Sequence, residues 1–249
     1  MELYDMHSHI LPDFDDGAKT VEESLKLINE LRKQGVRNIC LTPHFYTNEM
    51  SYEDYLEDRE RAYEAFLPYV PEDINVVLGC EVYITDYIFN NSDLSKITYG
   101  KSRYILTEFS YNTPFTEKTI QRFYMLTQNY GLCPVIPHVE RYSYLMEHPD
   151  VIAQLKDIGV VIQTNVTCYT KEAPFFKKHK LLKLIKHGLI DILGTDTHSM
   201  NHNPPTEFRE AMSTISQKCG SREVKRMMMT AERMFKKASG VTRSRDLYL

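Results

Sequence analysis

Histidines and carboxylates occur in this chain at spacings that suit metal binding. The predicted first strand ends in Asp5-Met6-His7-Ser8-His9, and alternation along an extended strand points His7 and His9 to the same side. Two imidazoles on one side can reach a single ion, and such a pair at a strand end is typical of metal sites. The pair alone leaves open the ordinary interpretation of two core or surface histidines.

Similar residues follow most of the other predicted strands. His44 ends the run Leu41-Thr42-Pro43-His44, and Asp196 with His198 repeats the spacing of the opening pair. Three more candidates, each placed just after an apolar run, are Glu81, Glu108 and His138. Each residue alone is equally well explained as a helix cap, a surface group or a hydrogen-bonded core residue. Together they predict one polar cluster, because barrel enzymes place their chemistry at the carboxyl ends of the strands.

Such a cluster requires cations, because buried carboxylates without partners are costly and repel one another. The donors are oxygen and nitrogen with no thiolate, which favours Mn, Fe, Zn or Mg over a structural cysteine-type zinc site. In the following loop, Asp13, Asp15 and Asp16 either add a ligand or cap the helix predicted to begin near Val21. Gly17 permits the tight turn that both roles require.

Composition limits the class of protein. The chain has 249 residues, 42% of them hydrophobic, which is enough for one barrel-sized domain over residues 1–249. Its net charge of -4 predicts neither a nucleic-acid partner nor an anionic membrane surface, so any phosphate site must be local. Five scattered cysteines without C-x-x-C spacing indicate reduced thiols. With no signal peptide and no apolar run of membrane-spanning length, we expect a cytoplasmic protein without membrane insertion.

Short apolar runs alternate with amphipathic stretches, as in parallel β/α folds. We predict strands near residues 3–6, 36–41, 74–78, 104–106, 133–136, 160–163 and 190–193, and helices near residues 21–34, 52–67, 118–130, 150–158 and 175–187, with closing helices after them. A glycine follows four of these helices, at Gly35, Gly131, Gly159 and Gly188, where a left-handed cap is expected. Seven strands predict an α/β fold of the distorted (β/α)7 TIM-like barrel type. An open doubly wound sheet is the alternative.

The motifs, taken in order, resemble one enzyme family. They are Asp5-Met6-His7-Ser8-His9-Ile10-Leu11-Pro12, Asp15-Asp16-Gly17-Ala18, Thr42-Pro43-His44, Gly79-Cys80-Glu81-Val82-Tyr83, Glu108-Phe109-Ser110, Pro137-His138-Val139-Glu140-Arg141-Tyr142 and Thr195-Asp196-Thr197-His198. This series is similar to the PHP-fold protein-tyrosine phosphatases of bacterial capsule and exopolysaccharide synthesis, and it covers nearly the whole chain.

The resemblance implies a distorted PHP-fold barrel with three divalent ions, often manganese. The implied metal ligands are His7, His9, Asp16, His44, Glu81, Glu108, His138, Asp196 and His198. It further implies that Arg141 faces the substrate phosphate, which suits a planar guanidinium. The implied substrate is a phosphotyrosine protein, such as a bacterial tyrosine kinase.

One loop departs from the family pattern. Relatives usually carry another arginine after the last Asp-x-His, whereas this chain reads Ser199-Met200-Asn201-His202-Asn203-Pro204-Pro205. His202 or Asn203 is a weak substitute, and Arg209 lies further along. The departure bears on phosphotyrosine preference and efficiency more than on metal binding.

The expected mechanism is attack on phosphorus by a hydroxide bridging two metal ions, without a covalent intermediate. A cysteine phosphatase would need C-x5-R, and no cysteine here has an arginine at that spacing. His44 or His198 would supply a proton to the leaving group where it is not bound to metal. Two alternatives stay open, namely a small-molecule phosphomonoesterase such as a histidinol-phosphatase-like enzyme and a catalytically impaired metal-binding module.

Overall fold

The computed structural model describes residues 2–240 and contains nine strands and eight α-helices in that part of the chain. The strands are β1 (Leu3–Ser8), β2 (Val36–Leu41), β3 (His44–Tyr46), β4 (Asn75–Leu78), β5 (Glu81–Tyr83), β6 (Tyr104–Glu108), β7 (Cys133–Ile136), β8 (Val161–Asn165) and β9 (Ile192–Gly194). The helices are α1 (Val21–Gln34), α2 (Tyr52–Phe66), α3 (Glu117–Tyr124), α4 (Ser143–Glu147), α5 (Pro149–Asp157), α6 (Phe175–Lys186), α7 (Phe208–Cys219) and α8 (Ser221–Ser239).

All strand pairs are parallel. A three-stranded sheet has the order β1-β2-β4, and a six-stranded sheet has the order β3-β5-β6-β7-β8-β9. The seven predicted strands are present, and β3 and β5 are additional. They continue β2 and β4 after short interruptions at Thr42-Pro43 and Gly79-Cys80. Proline supplies no ladder donor, so the break after β2 is local, and Glu81 N donates to Pro43 O at 2.9 Å across it.

The first strand meets the end of the last one. Ser8 forms a parallel bridge with Thr197, while His9 N donates to Thr197 O at 2.9 Å and Asp196 N donates to His7 O at 2.8 Å. An open doubly wound sheet has no such contact between its outer strands. The predicted distorted α/β barrel is therefore confirmed.

The helix ends follow local sequence signals. The Thr20 side chain caps α1 by accepting from Glu23 N, so the aspartates of the preceding loop do not cap this helix. Gly35, Gly131, Gly159 and Gly188 all have positive φ, as predicted. The predicted helix over residues 118–130 differs in detail, because α3 ends at Tyr124 and continues as a π-helical turn, Met125–Asn129.

Two apolar clusters hold the barrel together. The larger one lies between the strands and the outer helices and includes Leu27, Ile28 and Leu31 of α1. The smaller one joins strand residues to one face of α8; its members include Tyr4, Met6, Cys40, Val77, Leu106, Val135, Ile192, Ala231, Met234, Phe235 and Ala238. Because these strand residues come from six strands, the second cluster fills the space that the strands enclose. No helix between residues 2 and 240 has the length and apolar character needed to cross a membrane.

Candidate metal centre

The nine implied ligands meet at the carboxyl ends of the strands. Their donor atoms form three overlapping groups, each with its atoms within 4.8 Å of one another: His9, Asp16, His44 and His198; His7, His9, Glu81 and Asp196; and His44, Glu81 and Glu108. His138 adjoins these groups, because its Nε2 lies 2.8 Å from Glu81 Oε1 and 3.5 Å from Glu108 Oε1. Residues separated by more than 190 positions in sequence thus share one site.

The opening pair converges as alternation predicts. His7 Nε2 and His9 Nε2 are 3.1 Å apart, although the register between β1 and β2 is irregular between Asp5 and Ser8. Two glycines make room for this strand end. A Cβ on Gly17 would lie 2.0 Å from His9 O, and one on Gly194 would lie 2.6 Å from His7 Cβ. Gly17 therefore allows the close backbone approach at the bend of residues 15–17.

The backbone is strained at this end of the barrel. Four non-glycine residues between positions 2 and 240 have positive φ: Asp13 at 53°, His138 at 29°, Asp196 at 55° and Asn203 at 49°. All four lie in loops after strands, and two of them are implied ligands. Positive φ is costly for residues with a Cβ and concentrates at functional sites.

Three imidazoles are oriented by hydrogen-bond partners that are not themselves metal-donor atoms. His9 Nδ1 lies 2.7 Å from Asp15 Oδ2, His198 Nδ1 lies 2.8 Å from Asp196 O, and His7 Nδ1 lies 3.4 Å from Gln163 Oε1. A proton on each Nδ1 leaves the Nε2 lone pair directed into the cluster, the usual arrangement around metal-bound histidines. Sequence reasoning left the role of Asp15 open and missed Gln163, because no local pattern marks a residue whose partner lies on another strand.

Asp196 presents its two carboxylate oxygens to different surroundings. Asn165 Nδ2 and Asn203 Nδ2 donate to Oδ2 at 2.9 and 3.0 Å, and Arg141 Nη2 donates to the same oxygen. Oδ1 instead faces His7 Nε2 at 3.5 Å and His9 Nε2 at 3.4 Å. One oxygen is thus saturated with donors, and the other is available to a cation.

The charges of the site are arranged as a cation site requires. Burial and the neighbouring Glu81 raise the pKa of Glu108, whereas His7 and His138 hold the pKa of Glu81 low against the effect of burial. Burial, with His9 nearby, lowers the pKa of His44 to about 4. His44 is therefore neutral at pH 7, the form that binds metal.

Unsatisfied ring nitrogens are a further sign of a missing partner. Within residues 2–240, His138 Nδ1 and His44 Nδ1 are buried without a hydrogen-bond partner. His44 Nδ1 lies 3.3 Å from Glu81 Oε2, but the angles of this contact are not those of a hydrogen bond. Buried polar atoms are normally paired, so the donor set fits divalent cations.

Arg141 lies at the edge of this cluster. Its Nη1 donates to Tyr111 Oη at 3.0 Å, its guanidinium lies 5.6 Å from the centre of the Tyr111 ring, and Nη2 contacts Asp196. The resemblance implied only that Arg141 faces the substrate phosphate, and its ion pair with Asp196 was not predicted. Its neighbour Glu140 accepts bonds from Thr164 and Asn165. Tyr111, which also donates to Glu108 Oε1 at 3.1 Å, was not predicted.

The loop that departs from the family pattern also reaches the site. His202 packs on His198, with ring centres 4.7 Å apart, and Asn203 donates to Asp196 as described above. Arg209 is remote, because its guanidinium donates to Lys33 O beside the end of α1. Arg209 therefore does not replace the family arginine.

None of the cysteines belongs to the groups of possible ligands found within residues 2–240. Burial raises the pKa of the Cys80 thiol to about 11 and raises that of Cys40 strongly. Thiolates are thus disfavoured, in agreement with the exclusion of cysteine catalysis.

The chain matches one known protein family over nearly its whole length. The CpsB/CapC family, described as acting in capsular polysaccharide synthesis, matches residues 3–236. This chain belongs to the CpsB/CapC family. Tyrosine-protein phosphatase CpsB of Streptococcus pneumoniae is 32% identical over 241 residues, covering 91% of this chain and 95% of that protein. Tyrosine-protein phosphatase YwqE of Bacillus subtilis is 31% identical over 227 residues, covering 88% and 86%.

A solved structure of this CpsB/CapC group has the same fold. It comes from work on B. subtilis YwqE and S. pneumoniae CpsB, described as unique metal-dependent tyrosine phosphatases, and it matches with a TM-score of 0.79 and 26% identity. The match covers 94% of this chain and 95% of that one. The predicted family resemblance is confirmed.

Proposed function

We propose that this CpsB/CapC protein is a metal-dependent protein-tyrosine phosphatase formed by a single domain over residues 1–249. The observation that carries the proposal is the convergence of nine imidazole and carboxylate side chains around shared positions. The names of its relatives support the same activity. The proposed substrate is a phosphotyrosine protein of capsule or exopolysaccharide synthesis, such as a bacterial tyrosine kinase. We place the reaction in the cytoplasm, where the free cysteines would stay reduced.

We propose three divalent ions, one for each group of donors, and manganese as the preferred metal. His9, His44 and Glu81 each belong to two groups. Of these, Glu81 would be the best placed to join neighbouring ions, because a carboxylate has two oxygen donors. Mixed oxygen and nitrogen donors suit manganese, and iron, zinc and magnesium are the alternatives. When bound, such ions supply a water-derived nucleophile at neutral pH and offset the charge on the phosphoryl oxygens.

The remaining residues hold the ligands and the substrate. Asp15 orients His9, and Gln163 orients His7. Asn165 orients Asp196. Arg141 is the proposed phosphate ligand, since 27% of its side chain is exposed and its guanidinium is already held by Tyr111. Both candidate proton donors, His44 and His198, belong to a group of possible ligands, and either would supply a proton only where it is not bound to metal.

Metal analysis combined with phosphatase assays tests this function. The purified protein would be analysed for bound metals, stripped with a chelator, reloaded with Mn, Fe, Zn or Mg, and assayed. The substrates are para-nitrophenyl phosphate, a phosphotyrosine peptide and histidinol phosphate. We expect chelation to abolish turnover, manganese to restore it, and kcat/KM to be higher for the peptide than for histidinol phosphate. Higher efficiency on histidinol phosphate would support the small-molecule alternative, and no turnover by metal-loaded protein would support the impaired module.

A further inference from the structure

A groove of about 930 Å³ opens beside the metal centre, between the loop of residues 12–16 and helix α2. Its inner end is lined by Asp16, His44 and Tyr46, and it extends to Ala62 and Ala65 of α2. The groove therefore begins at two implied metal ligands and continues well beyond the space that a phosphate group would fill.

The floor of the groove is a packed aromatic layer. Phe45 stacks on Tyr55 with ring centres 4.1 Å apart, and Phe14 meets the edge of the same ring at 5.6 Å. Tyr55 Oη donates to Pro43 O at 3.1 Å, which ties this layer to the strand end that carries His44. Because these rings belong to the core, the floor is formed before any ligand binds, which lowers the cost of binding.

The rim exposes apolar side chains. Met50 is 42% exposed and Tyr46 is 37% exposed, and the Tyr46 ring stacks on His44 at 5.1 Å. A small phosphomonoester bound at the metal centre would leave Met50 in solvent. A peptide that extends from the centre along the groove would cover it, and burial of apolar surface would then contribute to binding.

Apart from the implied metal ligands, the groove carries more acidic than basic side chains. Asp13, Glu49 and Asp58 line it, and the one basic lining residue among those described, Arg61, is bonded to Asp58 at 2.5 Å. This excess of carboxylates disfavours an acidic ligand segment and favours a neutral or basic one.

We propose that this groove binds the peptide segment next to the phosphotyrosine, with an apolar side chain of the substrate against Met50 and Tyr46. Basic residues of that segment are preferred over acidic ones. The inference rests on the proposed function and narrows its substrate class to protein segments with an apolar, non-acidic flank. Binding energy from this flank positions the phosphoryl group at the metal centre.

Peptide libraries around one phosphotyrosine test the groove. Two series would vary the residues on the amino side and on the carboxyl side, each with Leu-Lys, Ser-Ser or Glu-Glu as the flank. The readout is the kcat/KM for each peptide divided by that for para-nitrophenyl phosphate with the same manganese-loaded enzyme. In one series we expect the Leu-Lys peptide to exceed the Ser-Ser peptide by about three- to tenfold, and the Glu-Glu peptide to be the poorest.

Two variants connect this preference to the groove. Met50→Ser should remove most of the advantage of leucine over serine, and Glu49→Lys should reduce the discrimination against the acidic flank. Met229→Ser is the matched control, since Met229 is 57% exposed on α8 and lies outside the groove, and it should change neither ratio.

The outcomes separate this inference from the function on which it rests. Turnover of all peptides and of para-nitrophenyl phosphate without any flank preference would overturn the groove inference alone. Metal-loaded enzyme that is inert on every substrate would overturn both. A change of oligomeric state in Met50→Ser, measured by light scattering, would show that a second copy of the chain covers this face and would also overturn the inference.

Discussion

The two ends of the barrel are built from the same strands but have opposite character. At the amino ends, Tyr4 and Met6 of β1 pack with Met234 and Phe235 of α8 in an apolar cluster. At the carboxyl end of the same strand, His7 and the following His9 enter a cluster of imidazoles and carboxylates. On this one strand, residues of the apolar cluster and an implied metal ligand are thus only one to three positions apart.

Asp5, on the same strand, is a buried carboxylate that hydrogen bonds stabilise. It is fully buried and accepts bonds from Thr195 N at 2.8 Å and Thr195 Oγ1 at 2.6 Å. Burial raises its pKa to about 6. The contrast shows that apolar contacts stabilise one end without assistance, whereas the other end requires hydrogen bonds and cations to offset buried charge.

The largest expected effect is at the ligand end. Glu81→Gln keeps the shape of a side chain that belongs to two donor groups and contacts His138 but removes its charge. We expect kcat to fall by at least about 1,000-fold and bound metal to decrease, with unchanged circular dichroism. Glu172→Gln, at an exposed position, is the control. A variant that keeps full metal content and near wild-type turnover would remove Glu81 from the site.

The matching change at the amino end is Phe235→Ala. Phe235 is 5% exposed and its ring centre lies 5.7 Å from that of Tyr4, so truncation should lower the free energy of unfolding by about 3–5 kcal/mol. Metal content and kcat of the folded protein should stay within about twofold. Denaturant unfolding and assays at low temperature measure both, with Met229→Ala on the exposed face of α8 as control. Large loss of kcat with little loss of stability would contradict the division between the two ends.

Arg141→Ala tests a residue at the edge of the ligand end that contacts a ligand without being one. Loss of one charge-assisted contact with the transition state should lower kcat/KM by about 30- to 1,000-fold, equivalent to about 2–4 kcal/mol. Metal content should be unchanged, because Asp196 keeps its bonds from Asn165 and Asn203. Both para-nitrophenyl phosphate and a phosphotyrosine peptide would be assayed at fixed manganese. Arg122→Ala, which removes an exposed pair with Asp86, is the control, and near wild-type activity of Arg141→Ala on both substrates would refute its role.

The smallest expected effect is at the cysteines, which contribute to neither the ligands nor the proposed phosphate contact. Replacement of all five by serine should leave turnover of the folded protein within a few-fold of wild type, whereas a chelator should abolish it. Buried thiols with raised pKa, such as Cys40 and Cys80, are poor nucleophiles. The measurement is activity before and after alkylation of metal-replete enzyme, and loss of activity in proportion to alkylation would contradict it.

Local patterns predicted most of the fold. Helix α1 and strands β2 and β7 have the predicted bounds, because apolar periodicity and a glycine cap are local signals. Strands β3 and β5 were missed, since each has three residues and follows an interruption in a longer strand. Their pairing depends on neighbouring strands and not on their own sequence.

The residues that chemistry requires were visible in the sequence by itself, because metal ligands are limited to few residue types and strand ends are marked by apolar runs. That information named eight candidate ligands, whereas the assignment of Asp16 as a ligand and the role of Arg141 came from the family resemblance. Only the tertiary structure decided which groups surround them: Gln163 beside His7, Tyr111 between Glu108 and Arg141, and three donors on one oxygen of Asp196. The physical reason is that a hydrogen bond depends on distances of a few tenths of an ångström between residues far apart in sequence, and only the packed barrel sets those distances.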